Sequence, residues 1–397
     1  MTETNRPLRV LFLTACTGRG GAGKSLYYLC KYLDRSRVEP LVVMPESGKI
    51  GGKLDALGIP TVIASRLRER TFELRFARAN PATKLLSFLM NLWDSALFPL
   101  ELSRIARRRD ADVIYCNHMM VKIMGIVTGL LTRTPVVLHT RTIYGNPLER
   151  YLYLSFAALP HVRRIVAVSD AAAANFREIS EKVRVIRNGI PVEEIGFREK
   201  GGRLEKAVSF PPGTALVGFV GRLVDWKGID VFLEAAERLL ESRDDVAFVV
   251  LGDVPVGSTH ATLDDYRRYV RERGMAERVE LLGFKENATE YVRDFRVLVV
   301  PSVRPDPCPR TVLEGMAVGT PIIGSASGGI REVLHHDVTG LLVRPGRADD
   351  IVEQVERILD DPELAEDIAA RARQAVEEDF NAEGVSRRIQ TILEEVG

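Results

Sequence analysis

The sequence predicts an α/β protein built from two Rossmann-like domains that face one another. Short β-branched segments alternate with helical patterns in both halves of the chain, which is typical of doubly wound parallel sheets. A polar segment rich in glycine and proline, residues 191–213, separates the two halves and reads as a linker. The 397 residues are enough for two or three domains, each with a core of its own.

The first domain, residues 1–190, contains six apolar segments that we expect to be buried parallel strands. They are Arg9–Thr14, Glu39–Met44, Pro60–Ala64, Asp112–Cys116, Pro135–His139 and Arg164–Val168. Helical patterns lie between them, for example over Lys24–Leu33 and Leu100–Arg109.

The second domain, residues 214–375, repeats this alternation. Its expected strands are Leu216–Val220, Ala247–Leu251, Val279–Leu281, Val297–Val300 and Pro321–Ile323. The segment Ile229–Leu240 has one apolar stripe and predicts a helix packed on the sheet. A C-terminal helix is expected within residues 376–397, with an amphipathic pattern over Ala382–Val396.

The composition excludes several classes of protein. Apolar residues make up 46% and charged residues 27%, which fits a globular protein and not a disordered one. The net charge of +1 does not favour a nucleic-acid binder. The apolar stretch Leu85–Leu100 is interrupted by Asn91 and Asp94, and the polar start does not resemble a signal peptide, so we expect a cytoplasmic protein. Four widely spaced cysteines indicate neither a disulfide framework nor a zinc site.

The charge is divided unequally between the two halves. Residues 1–190 hold 29 Lys and Arg against 15 Asp and Glu, a net charge of +14, whereas the remainder carries −13. The first half is therefore expected to prefer an anionic partner. A basic and apolar insertion, about residues 66–110, is either a surface that docks at the inner face of a membrane or a helical insertion packed on its own sheet.

Gly18–Ser25 matches the pattern G-x-x-x-x-G-K-S/T, between a strand and a helix. A P-loop nucleoside triphosphatase or kinase is one interpretation, with Lys24 on the phosphates and Ser25 on magnesium. Such an enzyme also needs a strand that ends in a magnesium-binding Asp, and only the weak candidate Asp170 is present. A glycine-rich helix N-terminus without ATPase chemistry, which binds a phosphate or diphosphate, is favoured; a purely structural turn is the remaining alternative.

The second domain carries a more specific set of motifs. Gly221 and Arg222 follow a strand directly, and Lys227 comes five residues later. In an open α/β sheet the carboxyl ends of the strands bind ligands, and two cations there suit a diphosphate. Two solvated surface cations are the alternative.

Two carboxylates stand eight positions apart across a loop-to-helix boundary, Asp306 and Glu314. Carboxylates accept hydrogen bonds from vicinal diols, so one suits the hydroxyls of a sugar and the other a ribose. Between them, Thr311, Val312 and Leu313 would offer the N–H groups of a helix N-terminus to a diphosphate.

Together these motifs resemble the retaining glycosyltransferases of family four, which have the GT-B fold of two facing Rossmann-like domains around a deep cleft. The resemblance covers nearly the whole chain. It is carried by the glycine-rich loop, the His139 segment, the Val185–Ile190 segment, the Gly221–Gly228 motif, the carboxylate pair and Gly340–Gly346. It implies a C-terminal helix that crosses back to the first domain.

The resemblance assigns a role to each motif. Arg222 and Lys227 would neutralise the diphosphate of the donor, and Glu314 would bind the ribose. Asp306 stands where the family usually has Glu and would contact the transferred sugar, whose identity or pose this difference leaves open. His139 would lie near the sugar, unless it is a structural histidine at a strand end. Gly20 and Gly21 would approach the donor phosphate or the acceptor, and Asn188 and Ser169 lie near the domain junction.

The implied activity is retaining transfer from a UDP- or GDP-linked sugar to a glycan or a lipid-linked acceptor, as in polysaccharide or cell-envelope biosynthesis. Domain closure would bring His139 against the donor. We expect no metal and no further cofactor, because no D-x-D is dedicated to a metal and the cations and helix N-termini supply the electrostatic stabilisation. A non-catalytic binder of sugars or lipid carriers with the same fold is a third alternative.

Overall fold

The chain divides into two units, residues 1–189 together with 382–397, and residues 190–381. The structure is a computed structural model, and it describes residues 6–16, 18, 20–64, 97–196, 202–204, 206–254 and 261–397. Each unit contains one parallel sheet flanked by helices, as the alternating pattern predicts.

Unit 1 contains a sheet of seven parallel strands. They are β1 (Leu8–Leu13), β2 (Val38–Met44), β3 (Thr61–Ile63), β4 (Val113–Cys116), β5 (Val136–Thr140), β6 (Val162–Ala167) and β7 (Val183–Val185). The order is β3-β2-β1-β4-β5-β6-β7, so the chain crosses to the other side of β1 between β3 and β4. At such a switch point the loops after β1 and β4 diverge and leave a crevice at the carboxyl ends of the strands.

The helices of unit 1 cover both faces of this sheet. They are α1 (Gly21–Tyr32), α2 (Gly48–Ala56), α3 (described over residues 97–108), α4 (Met119–Thr132), α5 (Pro147–Ala157) and the short α6 (Asp170–Ala173), followed by a 3-10 helix over Ala174–Lys182. The N-terminus of α5 is fixed by Asn146, whose side chain accepts hydrogen bonds from the N–H groups of Leu148 and Glu149.

The described part of the basic and apolar insertion packs inward. Phe98, Leu102 and Ala106 on α3 are buried in the same core cluster as Leu11 and Leu13 of β1. For residues 97–108 this favours a helix that packs on its own sheet. Residues 66–96 of the insertion lie outside the described residues.

Unit 2 contains a sheet of six parallel strands. They are β8 (Ala215–Val220), β9 (Val246–Leu251), β10 (Val279–Gly283), β11 (Val297–Val300), β12 (Ile322–Ser325) and β13 (Leu341–Val343). The order is β10-β9-β8-β11-β12-β13, so the switch point lies between β8 and β11. Its helices are α7 (Ile229–Ser242), α8 (Leu263–Glu272), α9 (Ala288–Val292), α10 (Arg310–Val318), α11 (Ala348–Asp360) and α12 (Pro362–Asp379).

The last helix, α13 (Ala382–Val396), belongs to unit 1, in agreement with the expected return of the chain to its first domain. Its apolar face packs Val385, Ile389 and Leu393 into the core that β1 and α1 form. Among the described residues, no helix is both long enough and apolar enough to cross a membrane.

The predicted strand boundaries agree with the structure to within about two residues, and two short strands were not predicted. The terminal strand β7 has three residues and is only partly buried, and β13 lies within the Gly340–Gly346 motif, which was not predicted to be a strand. Helix α1 begins at Gly21, three residues before the predicted start, because the glycine-rich loop itself enters the helix.

Candidate functional site

In unit 2 the turn after β8 presents the first part of the candidate site. Asp225–Lys227 form a 3-10 helix, and two cations, Arg222 from before this helix and Lys227 from its last position, lie near the indole of Trp226. The Arg222 guanidinium carbon lies 6.0 Å from the centre of the Trp226 ring, and the Lys227 Nζ lies 4.7 Å from it. Both distances allow cation–π attraction, which orients the two side chains.

Gly228 makes this turn possible. It has a φ of +76°, and a Cβ at this position would lie 2.0 Å from the carbonyl oxygen of Pro301. A side chain there would therefore collide with the loop after β11. The absence of a side chain at Gly228 lets the two loops approach closely, and the hydrogen bond from the Val303 N–H to the Trp226 carbonyl (2.9 Å) joins them at the switch point.

Lys227 forms an ion pair with Asp306, and both side chains are largely buried, with exposures of 15% and 6%. The structure thus joins two of the predicted site residues, 79 positions apart in sequence. The pair neutralises a carboxylate that would be costly to bury alone. It also restricts the ammonium to one position at the carboxyl edge of the sheet.

The loop that carries Asp306 is fixed by a second glycine turn. Gly328 has a φ of +56°, and a Cβ there would lie 2.4 Å from the Asp306 carbonyl oxygen. The Gly329 N–H donates a hydrogen bond of 2.7 Å to the same carbonyl. The Asp306 backbone is therefore held by a segment that the sequence analysis did not include among the candidate residues.

Helix α10 begins at Arg310, so Thr311, Val312 and Leu313 form its first turn, as predicted. The Val312 N–H already donates to the Pro309 carbonyl at 3.2 Å. At the next turn Glu314 lies 3.4 Å from the Arg310 guanidinium, and the two side chains are 14% and 9% exposed. The positive end of a helix dipole and a positioned carboxylate are thus adjacent.

In unit 1 the glycine-rich loop ends at Gly20, the N-cap of α1. The Ser25 hydroxyl donates to the Gly21 carbonyl at 3.0 Å and lies 3.3 Å from the Asn188 Oδ1. Strand β4 is followed by Asn117, whose amide donates to the Ala22 carbonyl at 3.0 Å. The position next to the loop thus holds an amide where a P-loop enzyme needs a magnesium-binding carboxylate.

His139 lies near the carboxyl end of β5 with 3% of its surface exposed. Its Nδ1 lies 2.5 Å from the Tyr115 hydroxyl and 3.2 Å from a guanidinium nitrogen of Arg141. Burial, followed by the positive charges of Arg141 and Lys122, holds the pKa of His139 well below its usual range. The imidazole is therefore neutral at physiological pH.

Other buried ionisable groups surround His139. Lys122 on α4 is 1% exposed, and its Nζ has no hydrogen-bond partner in the described part of the chain. Burial lowers the pKa of Lys122 to about 7, and burial together with the charges of Lys122 and Arg141 lowers the pKa of His118 to about 4. This edge of the sheet therefore combines low hydration with positive charge.

A pocket in unit 1 lies between the start of α1, the ends of β5 and β7, and α13. His139, Arg141 and Asn188 line it together with Arg187, whose guanidinium pairs with Asp170 at 2.8 Å. Ser169, to which the sequence analysis gave little weight, caps α6 by accepting the Ala172 N–H at 3.1 Å.

Several residues at these sites were not predicted. Tyr115 and Lys122 are distant in sequence from His139, which they contact or surround. Arg141 follows His139 by two positions, and Arg310 precedes Glu314 by four positions on the same helix. These two short spacings are the signals that could have indicated Arg141 and Arg310. Among the described residues, no group of three His, Cys, Asp or Glu side chains is arranged to hold a metal ion.

In comparisons with known proteins, each of the two units matches a family of glycosyltransferases. The model of a family described as Glycosyltransferase Family 4 matches residues 19–194, and that of Glycosyl transferases group 1 matches residues 203–375. A 2-deoxystreptamine glucosyltransferase of Streptomyces kanamyceticus is 32% identical over 335 residues, which are 77% of this chain and 84% of that protein.

An uncharacterized glycosyltransferase of Methanocaldococcus jannaschii is 28% identical over 267 residues, so the match spans 63% of this chain and 66% of that protein. Among solved structures, Anabaena HepE in complex with UDP and glucose has a TM-score of 0.79 and 21% identity, over 98% of this chain and 100% of that chain. At 21% identity, the likeness to HepE shows a shared fold.

Proposed function

Because this chain belongs to the family-four glycosyltransferases, with the two Rossmann-like domains of the GT-B fold, we propose that it transfers a sugar with retention from a nucleotide diphosphate sugar to an acceptor hydroxyl. The donor is a UDP- or GDP-linked sugar. UDP in the related HepE structure supports a nucleotide of this class.

The observation that carries the proposal is the cluster at the switch point of unit 2. Arg222, Lys227 and the N-terminus of α10 supply positive charge after β8 and β11. Such a cluster suits the diphosphate of a donor, whose negative charge increases as the sugar leaves. Glu314, oriented by Arg310, would accept the ribose hydroxyls.

Asp306 is assigned to the transferred sugar. Its pairing with Lys227 supports this role, since the same pair would then lie at the bond between the sugar and the diphosphate. In the retaining reaction the bond from the anomeric carbon to the diphosphate oxygen breaks, and the acceptor oxygen arrives on the same face. The departing diphosphate oxygen takes the acceptor's proton. The cations and helix N-terminus stabilise the leaving group without a metal in this proposal.

In unit 1, His139 is assigned to the transferred sugar and Gly20 and Gly21 to phosphate or acceptor contacts. The acceptor is a glycan or a lipid-linked molecule, and its anionic character would fit the charge of +14 on residues 1–190. The P-loop alternative has no support from the comparisons, and Asn117 occupies the position next to the loop.

We also propose peripheral contact of unit 1 with an anionic membrane surface. Helix α5 exposes Leu148, Tyr151 and Leu152 by 73%, 66% and 49%, at the spacing of one helix face. Co-sedimentation with vesicles of anionic or zwitterionic lipid tests this. Binding to the anionic vesicles that weakens in Leu148→Ser is expected, and equal behaviour of both proteins would contradict it.

The main test is a thermal-shift screen of the pure protein with UDP- and GDP-sugars and with ATP, followed by product analysis. A bound donor should raise the melting temperature by mass action, and the anomeric configuration of the product should match that of the donor. The shift should be lost in Lys227→Ala and kept in Lys206→Ala, which removes an exposed charge from the segment before β8. A shift with ATP alone would contradict the proposal.

A further inference from the structure

Near the carboxyl end of β5, His139 contacts two residues to which no role has been assigned, Tyr115 and Arg141. In the parallel pairing of β4 with β5, Tyr115 lies opposite Val137, and His139 follows two residues later on the same face of the sheet. The Tyr115 hydroxyl thereby reaches the His139 Nδ1 at 2.5 Å.

The position of Tyr115 is rigid. Its side chain is fully buried, and the ring centre lies 5.2 Å from that of Phe12 on β1. The Tyr115 and His139 rings meet edge to face, with centres 5.8 Å apart. The hydroxyl is thus held at Nδ1 by the packing of the sheet and not by a mobile side chain.

Arg141 approaches the same nitrogen, with a guanidinium nitrogen 3.2 Å from the His139 Nδ1. The guanidinium also donates to the Oδ1 of Asn188 at 2.5 Å and to the Oδ1 of Asn117 at 3.4 Å. Asn117 is itself oriented, because its amide nitrogen donates to the Ala22 carbonyl. Asn117 after β4 and Asn188 after β7 therefore determine where Arg141 points.

These contacts determine which ring nitrogen of His139 carries the proton. A tyrosine hydroxyl can donate or accept, so Tyr115 alone is compatible with either tautomer. An arginine guanidinium only donates. Since Arg141 donates to Nδ1, that nitrogen must present its lone pair, and the proton of the neutral ring lies on Nε2.

We infer that Arg141, supported by Tyr115, is a positioning residue that locks His139 as the neutral Nε2–H tautomer, so that His139 donates a hydrogen bond to a sugar hydroxyl and does not act as a base. The assignment of the hydroxyl rests on the proposed function. The tautomer itself does not.

The surroundings of His139 agree with this state. The groups that face it are the Tyr115 hydroxyl from β4, the Arg141 guanidinium after β5 and the Lys122 ammonium from α4. Burial and the two cations oppose a second proton on the ring. No carboxylate is among these groups.

The opposite nitrogen is the one left for a ligand. His139 Nε2 is buried and has no hydrogen-bond partner among the described residues, while His139 lines the pocket of unit 1. A buried N–H without an acceptor costs free energy that an arriving hydroxyl oxygen offsets. His139 is therefore ready to donate before the sugar binds.

Nitrogen-15 NMR of histidine-labelled protein measures the tautomer directly, since the protonated and unprotonated ring nitrogens have distinct shifts and the chain has six histidines. A His139→Gln sample assigns the signal. We expect the neutral Nε2–H form at every pH from 5.5 to 8, in the protein without ligand. An imidazolium signal or the Nδ1–H tautomer in this range would overturn the inference.

Four variants distinguish control of the His139 tautomer by Arg141 from a contribution of Arg141 to packing alone. Arg141→Met should give a mixture of tautomers and a ring that titrates nearer to the ordinary pH, and Arg141→Lys, which keeps a charged donor, should restore the lock. Tyr115→Phe should keep the Nε2–H form, because Arg141 remains. Arg187→Met is the matched control, because Arg187 lines the same pocket but pairs with Asp170. A mixture in Arg187→Met equal to that in Arg141→Met would overturn the inference.

Sugar-transfer assays test separately whether His139 donates a hydrogen bond to a sugar hydroxyl. Arg141→Met should lower kcat/KM about tenfold, the scale of one hydrogen bond, with recovery in Arg141→Lys. If no donor is used but the NMR shows the lock, the proposed function fails and the tautomer assignment stands. If transfer is normal while His139 titrates as a base in the wild type, the tautomer assignment fails and the proposed function stands.

Discussion

Replacing Lys227 with methionine should impair both donor use and folding, for separable reasons. Loss of a preorganised cation at a leaving group costs about 3–4 kcal/mol of transition-state stabilisation, or roughly 100- to 1000-fold in kcat/KM. The substitution also leaves Asp306, which is 6% exposed, without its partner. Breaking a buried pair in this way costs about 3–5 kcal/mol of unfolding free energy.

The double variant Lys227→Met with Asp306→Asn separates the two effects. Removing the unpaired carboxylate should recover most of the lost unfolding free energy, measured by urea denaturation. It should not recover binding of UDP or GDP, measured by thermal shift without a sugar, whereas Asp306→Asn alone should keep that binding. Wild-type turnover in Lys227→Met, or nucleotide binding by the double variant at wild-type strength, would refute the assignment of Lys227 to the diphosphate.

Three further outcomes are expected. Burial lowers the pKa of Lys122 to about 7, so between pH 7 and 10 the unfolded chain binds more protons than the folded chain. The free energy of unfolding should therefore rise with pH in this range, by at most about 1.4 kcal/mol per pH unit. In urea denaturation Lys122→Met should lose this rise, and an unchanged rise in the variant would contradict the role of Lys122. Lys24→Ala should change sugar transfer only modestly and Gly21→Val should abolish it, while ATP hydrolysis that vanishes in Lys24→Ala would revive the P-loop alternative. Transfer should persist in EDTA, and loss that magnesium restores would show that a metal is required.

Much of the fold could be predicted from the sequence, because buried parallel strands are short, continuous and apolar. The strands β1, β2, β4, β8 and β11 all contain such segments, and their burial is nearly complete. The short strand β7 is partly exposed and carries Arg184 at its centre, so its pattern does not distinguish a strand from a loop.

The candidate residues of unit 2 were predictable as a set, but their pairing was not. Lys227 and Asp306 are each visible in a motif, whereas their contact depends on how the loops after β8 and β11 meet. Tyr115 is less visible still, since it contacts His139 from a strand 24 positions earlier. Partner choice of this kind follows from tertiary packing and not from local pattern.

The strand order of the two sheets explains why the loops that carry the candidate residues could nevertheless be located. In unit 1 the chain reverses its direction of growth between β1 and β4, and in unit 2 between β8 and β11. The loops after these four strands hold the glycine-rich segment, Asn117, the Arg222–Lys227 motif and Asp306. Since crevices in parallel sheets form at such reversals, strand order alone restricts the search to four loops and the helices that follow them. His139, at the end of the strand next to β4, is the exception, and its role depends on Tyr115 and Arg141 more than on the topology.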